Sequence, residues 1–508
     1  MSLLAIDMGT SSCKAVAFSD DGGMLAQASH SYSPESPQPR WSEMAPEKFW
    51  QAFTSAVRAI VSKLPRDEVE VVGISSHAET FFPTDSAGHT LGPAILNADS
   101  RAVAEAAWVT AQIGREKLFA ITGLAPHPMY PLPKILWLRK HKPEIFRSAV
   151  RYLTVPGYLL TRLGLPGYVD YSLASRFLAF DIRRREWSEE ILSASQLSPD
   201  LLPQPLAAGT LAGELSEKAA TGLGLAKGTP VILGGHDQPC AALGSGVLGP
   251  GRVSASLGTY ECLVGASETP SLSPEAFASN LNSYCHVVPN RFVTLAYFPS
   301  GIMVEWLLRV LHPVDQPSAP AATWEVFREL EAHASSKPTG LCITPHLLGS
   351  CNPDFNPQAS GVIAGLRPST TPSDLYKGVL EGIACEFANM TDLLRRTVGA
   401  FQAVYVSGGG ARSGLGLELR AAVANCELRL LQCPEAVCLG TAILAGVTIG
   451  KFRSFEDAVA SFVRESGTIV PDSSVSASYQ FQKAEYQLLY SSLAPLRQAR
   501  EKVSQEEQ

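Results

Sequence analysis

In GGHDQPCAALGSG, residues 234–246, an aspartate sits where an apolar run ends and a small-residue helix begins. Pro239 fits only the first turn of a helix, so Asp237 is well placed as an N-cap, worth about 1 kcal/mol. A carboxylate there can equally take a proton from a bound hydroxyl. His236 reads as packing. A second candidate is DMGTSSCK, residues 7–14. A strand ends at Asp7, turns through Gly9 and Thr10, and re-enters a strand. Its backbone N–H groups, the hydroxyls of Thr10, Ser11 and Ser12, and Lys14 converge as a phosphate requires. Asp7 is placed to hold Mg²⁺ through water, since that ion keeps most of its hydration shell. The plain reading is an ordinary hairpin.

YVSGGGARSGLG, residues 405–416, sets three glycines between a strand and a helix. Glycine admits close backbone approach, and a helix N-terminus favours an anion. A simple β–α turn is the alternative. GISSHAETFF, residues 73–82, leaves a strand with His77 and Glu79, a pattern suited to holding hydroxyls. Asp99 and Arg101 follow Asn97 and are read as a structural pair. GSGVLG, residues 244–249, fits GxGxxG but follows a helix, and no P-loop motif occurs. The missing strand–GxGxxG–helix unit argues against a Rossmann-type dehydrogenase.

The elements that must carry these groups alternate strand and helix, an α/β pattern. Strands are expected at 3–6, 14–18, 69–75 and 229–235. Apolar residues Phe49, Phe53, Val57, Ile60, Val61 and Leu64 recur at helical spacing within 47–64. A helix from 134 breaks near Pro143, and a closing helix covers 479–497. Residues 252–265 repeat the outline of 3–18: strand, Gly-Thr turn, strand. The Gly/Pro-rich stretch 244–256 divides the chain into 1–246 and 247–496, with a charged, frayed tail at 497–508. Two halves of one design facing each other make a cleft.

Composition limits the partners. The 508 residues carry a net charge of −7 with no basic stripe, which excludes a nucleic acid held by phosphate contacts. No apolar run is long enough to span a membrane, and no secretory leader is seen. Ten cysteines show no CxxC or zinc spacing, as expected of reduced thiols in a cytoplasmic protein.

Taken in order, these stretches resemble the FGGY family of carbohydrate kinases over nearly the whole chain. MYPLPKILWLRKH, residues 129–141, fits the first family signature, including Lys134 and Trp137. SLGT, residues 256–259, resembles the second phosphate loop. GVIAGL with DLYKGVLEG, residues 361–382, resembles the second signature, with Gly378 where Ala or Ser is usual. GGGARS (408–413) resembles the adenosine loop and CLGTAILAG (438–446) the helix after it. The resemblance implies two ribonuclease-H-like, actin-like ATPase domains with an interdomain cleft, a sugar on the first and ATP on the second. The implied enzyme is a phosphotransferase moving the γ-phosphoryl of ATP, with Mg²⁺, to an alcohol group of a small sugar or polyol. Asp237 matches the general base. His77, Glu79, Met129 and Gln238 fall at the acceptor. Gly9, Thr10, Ser11, Ser12, Lys14, Gly258, Thr259, Gly301, Glu305, Gly409, Gly410, Ala411 and Gly414 fall at the nucleotide, and Asp7 at the metal.

The acceptor stays open. Glu79-Thr80 and Asp237-Gln238 resemble pairs in glycerol kinases, yet Ala78 and Met129 replace their arginine and tyrosine. The Met-His-Gly of xylulokinases is absent at 78–80, and SCNP (350–353) stands for their Glu-Arg-Thr-Pro. Residues 172–188 and 300–311 look ketose-kinase-like. A ketopentose, a deoxy-ketohexose and a short polyol are all compatible, and a homodimer is allowed. The rival is an actin-like or heat-shock-type ATPase, or a silent regulator of the same fold.

Overall fold

The computed structural model describes residues 2–64, 68–311 and 320–506. Two mixed sheets dominate. In the first half the strands Ser2–Met8 and Ser12–Phe18 form an antiparallel hairpin, extended by Met24–Ser31. Val69–Ser76 joins Ser2–Met8 in parallel, and Pro230–His236 joins Val69–Ser76 in parallel. In the second half Val253–Leu257 and Tyr260–Ser267 form the hairpin, extended by Phe292–Pro299. Ala403–Ser407 and Glu427–Leu431 then add in parallel. Ranking these five strands by their order along the chain, both sheets read 3-2-1-4-5 across. The echo between 3–18 and 252–265 therefore marks two copies of one topology, the actin-like, ribonuclease-H-like arrangement.

The first sheet is covered on one face by the helix Pro46–Val61, which buries Phe49, Phe53, Val57, Ile60 and Val61 as its periodicity requires. The expected break near Pro143 is found: Pro131–His141 ends and Pro143–Ser148 begins. The closing helix runs Ser473–Ser492, and residues 494–506 continue as a further helix where a frayed tail was expected. Residues 507–508 lie outside the described residues.

The other face of the first sheet is covered by a helix from the opposite half. Ala436–Thr448 packs Leu439, Ala442, Ile443 and Leu444 against Leu3, Ala5, Val16, Phe18, Val71 and Ile232. It also crosses Asp237–Gly244 at very short range. A Cβ on Gly440 would stand 1.9 Å from the Cys240 carbonyl oxygen, and one on Gly244 would stand 2.0 Å from that of Ala436. Only glycine at both positions lets the two backbones approach this closely.

Candidate active site

Asp237 opens the helix Asp237–Gly244 as its first residue, directly after the strand Pro230–His236. This corrects the capping expectation. The N-cap position belongs to His236, and no side chain caps this helix. A carboxylate in the first turn still gains from the helix dipole. The turn is anchored from behind: the His236 backbone N–H donates to Ser172 Oγ at 2.9 Å, and that hydroxyl donates to Asp170 Oδ2.

His236 is more than packing. Its Nε2 lies 3.0 Å from Asp237 Oδ1. Burial pushes the Asp237 carboxyl up, but His236, then His77 and the Gln238 backbone N–H, outweigh it and hold the group below its ordinary value. The carboxylate is therefore charged at neutral pH. Its side chain keeps 20% of its surface open, while Oδ1 is enclosed and makes no hydrogen bond of normal geometry.

Asp7 ends the strand Ser2–Met8, paired in register with Lys14 on one side and Ser75 on the other. Burial, then Asp237, raise its pKa to about 8, and Glu435 adds to this against the lowering effect of Lys14. Its Oδ1 is buried without a hydrogen bond. An orphaned carboxylate oxygen beside a second carboxylate is a donor set that fits a divalent cation. Among the described residues no cluster of three or more His, Cys, Asp or Glu forms a metal cage. The first Gly-Thr turn is closed by Gly9 N–H to Ser12 O at 2.9 Å, with Thr10 and Ser11 exposed at its tip. Lys14, expected at phosphate, instead donates to Glu435 Oε2 at 2.7 Å across the two halves. The ammonium has three donors, so this pair leaves two protons for another acceptor.

The acceptor-side residues divide. His77 is tied down at both nitrogens, with Nδ1 2.7 Å from Met8 O and Nε2 2.7 Å from Thr80 Oγ1. The carbonyl can only accept, so Nδ1 carries the proton and Thr80 donates to Nε2. Burial lowers the His77 pKa and keeps the ring neutral. No ring nitrogen is left for an acceptor sugar, which makes His77 a support beneath the site. Glu79 sits at φ +62°, an uncommon left-handed position for a side chain of its size, and is buried. Its Oε1 accepts from Arg176 Nε at 2.6 Å. Lys134 stabilises this turn by donating to Glu79 O at 3.4 Å and Leu96 O at 2.6 Å. Met129 lies half-buried beside Tyr130, its N–H donating to His127 Nδ1 at 3.2 Å. Gln238 Oε1 is buried and unpartnered. Asp99 and Arg101 form the expected structural pair, with Arg101 Nη2 2.6 Å from Asp99 Oδ2 and its guanidinium stacked 3.8 Å from the Trp41 ring.

On the second half, Gly258, Thr259, Gly301, Glu305, Gly409 and Gly410 line one cavity of about 240 Å³. Its floor holds a buried pair, Arg420 with Glu261, and Ser300 Oγ donates to Glu261 Oε1. The Gly301 N–H donates to Gly258 O at 3.1 Å, which docks a helix N-terminus against the second Gly-Thr turn. Ala411 and Gly414 stand outside that lining, Gly414 as the first residue of Gly414–Ala424. Three neighbours of Asp237 escaped sequence reasoning: His236 as an electrostatic partner, Arg176 and Tyr284. A lone arginine inside the apolar run 173–180 was the available signal for Arg176, since a buried cation needs a carboxylate. Nothing near Tyr284 in sequence marks it.

Two actin-like halves of one topology, each with a Gly-Thr turn in its first hairpin, define the two-domain ATP-dependent phosphotransferase class. Residues 2–244 match the N-terminal domain, and residues 253–449 the C-terminal domain, of the FGGY family of carbohydrate kinases. The chain is 30% identical over 495 residues to xylulose kinase of Escherichia coli K12, covering 97% of this chain and 99% of that one. It is 25% identical over 470 residues to gluconokinase of Bacillus subtilis 168, covering 91% and 90%. The fold superposes on xylulose kinase from Rhodospirillum rubrum with a TM-score of 0.87 at 24% identity, covering 98% and 100%. It superposes on glycerol kinase from Plasmodium falciparum with a TM-score of 0.83 at 20% identity, covering 95% and 97%. The chain belongs to the FGGY family of carbohydrate kinases. It is an ATP-dependent sugar kinase, and the reading as a non-kinase ATPase or silent regulator is not favoured. Among the described residues no helix is long and apolar enough to cross a membrane.

Proposed function

We propose that this kinase phosphorylates a hydroxyl of a small neutral ketose or polyol, with Asp237 as general base. The acceptor lies on residues 1–246 and the nucleotide on 247–496. The observation that carries the reading is the state of Asp237: ionised, 20% exposed, and held at Oδ1 by His236 Nε2 3.0 Å away. Phosphoryl transfer passes through a loose transition state, so the attacking hydroxyl need not lose its proton early. Asp237 orients that hydroxyl and accepts its proton late, a contribution of about 10²–10⁴-fold. The two Gly-Thr turns and the cavity at Gly409-Gly410 position the nucleotide, and closure of the halves excludes competing water. Mg²⁺ would be held through water by Asp7 and would neutralise phosphate charge when bound. The ten cysteines, all free thiols, suit a reducing, ATP-holding cytoplasm.

ADP release with MgATP and a panel of ketoses, pentitols, glycerol and gluconate tests this reading. Stimulation by a ketose such as xylulose, the compound named for several relatives, or by a pentitol is expected. Basal ATP hydrolysis that no acceptor raises would overturn it.

A further inference from the structure

Ten buried side-chain polar atoms lack a hydrogen bond of normal geometry among the described residues, and six of them cluster at Asp237, its own Oδ1 included although His236 Nε2 lies 3.0 Å from it. They are Asp7 Oδ1, Arg176 Nη1, His236 Nδ1, Asp237 Oδ1, Gln238 Oε1 and Tyr284 OH. Buried polar atoms are normally paired, so the convergence of these marks a surface built for a polar guest. Ring and cation contacts join the cluster. The Arg176 guanidinium lies 4.9 Å from the Tyr284 ring, and that ring lies 5.5 Å from His236.

The orphans divide by chemistry. Asp237 Oδ1 and Gln238 Oε1 can only accept. Arg176 Nη1 can only donate, and the Tyr284 phenol, kept protonated by burial, has a proton to give. The site thus has an accepting end at the base and a donating end at Arg176 and Tyr284. Tyr284 comes from the second half, on the edge strand Asn282–Cys285, which docks on the first half through Ser283 N–H to Gly123 O at 2.9 Å. We propose that Arg176 and Tyr284 form a two-donor seat for the carbonyl oxygen of a neutral ketose and so set the acceptor preference of this kinase.

The proposal rests on the acceptor reading above. A carbonyl oxygen accepts from both donors and has no proton to place, whereas a hydroxyl that accepts from both must place its own proton elsewhere. A carboxylate is disfavoured because Glu79 already neutralises Arg176 and the charged Asp237 stands near Tyr284.

The test compares kcat and KM for xylulose, for its reduced pentitol xylitol, and for gluconate, in wild type, Tyr284→Phe and Arg176→Lys. Wild type is expected to favour xylulose over xylitol by about tenfold or more. Tyr284→Phe, which removes one oxygen and keeps the ring, is expected to cut that ratio about three- to tenfold, mainly through KM for xylulose. Calorimetric binding of xylulose without nucleotide is expected to weaken by the same factor. Arg176→Lys is expected to cut the ratio further, and Tyr284→Phe keeps the proposal falsifiable should the lysine variant not fold. An active enzyme whose ratio is unchanged in Tyr284→Phe, or a wild type that prefers xylitol or gluconate, overturns this proposal and leaves the kinase reading standing. A wild type that phosphorylates no acceptor overturns both.

Discussion

Asp237 is held below its ordinary pKa by His236, His77 and the Gln238 backbone while part of its side chain stays exposed, and that combination fixes what its replacement should do. Asp237→Asn keeps the size and polarity of the side chain. It caps nothing in the structure, so the fold should persist, with a urea midpoint lowered only by the lost helix-dipole and His236 interactions, about 1 kcal/mol. Turnover should fall by about two orders of magnitude or more, since the amide cannot take the proton. Near-wild-type turnover would remove Asp237 from the chemistry. The direction of its pKa fixes a second expectation. A carboxyl held below its ordinary value stays ionised at every pH above that value, so protonation of the base produces no acidic limb between about pH 5.5 and 7.5. A limb in that window, with saturating Mg²⁺, nucleotide and acceptor, would take the base role away from Asp237.

At the scale of elements, two supports decide whether the site exists. The helix Pro131–His141 carries Lys134 into full burial, where it holds the Glu79 turn. Burial, opposed by Asp99 and Glu79, lowers its pKa to about 7. Between that value and the ordinary 10.5 the unfolded chain holds a proton that the folded chain does not, so this group's contribution to stability rises with pH. Lys134→Met should therefore lose stability relative to wild type by an amount that grows from about pH 7 to about pH 9, read from paired urea titrations. The second support is the crossing of Asp237–Gly244 with Ala436–Thr448. Glycine to alanine in a helix usually gains about 1 kcal/mol. Gly440→Ala should reverse that sign and destabilise by about 2 kcal/mol or more, because its Cβ meets backbone at Cys240. Gly222→Ala, also helical and with nothing within 4 Å, serves as the control that should not destabilise. What was legible beforehand follows from range. The hairpins at 3–18 and 252–265, the helix at 47–64 and the Asp99–Arg101 pair are set by local pattern, and all were readable. The N-cap assignment of Asp237 failed by one position, since an N-cap and a first-turn carboxylate differ only in backbone angle. Lys14–Glu435, Arg176–Glu79 and Tyr284 depend on contacts between residues far apart in the chain, which no local spacing encodes.

At the scale of the whole molecule, chain order and packing order differ. The boundary near 246 separates the two sheets in sequence, but the helix Ala436–Thr448 from beyond it closes the first sheet. Ion pairs cross at the same wall: Lys451 reaches Glu70 and Asp20, and Lys14 reaches Glu435. These pairs are half-buried and still partly solvated, so the apolar face carries most of the interaction. Leu3, Ala5, Val16, Phe18, Val71 and Ile232 are all at most 1% exposed in the intact chain. At roughly 1.5–3 kcal/mol for each large side chain, uncovering this face costs on the order of 10 kcal/mol, comparable to the whole stability of an ordinary domain. Residues 1–246 expressed alone should therefore fail to give a soluble product with a cooperative thermal transition, although they contain a complete sheet and the proposed base. Co-expression with residues 247–508 should restore a soluble complex with acceptor-dependent ADP release. If residues 1–246 alone melt cooperatively near the temperature of the intact chain, the crossing helix is dispensable. The two halves would then move as independent bodies about a seam that contributes little, and catalytic closure would have to be argued from the nucleotide alone.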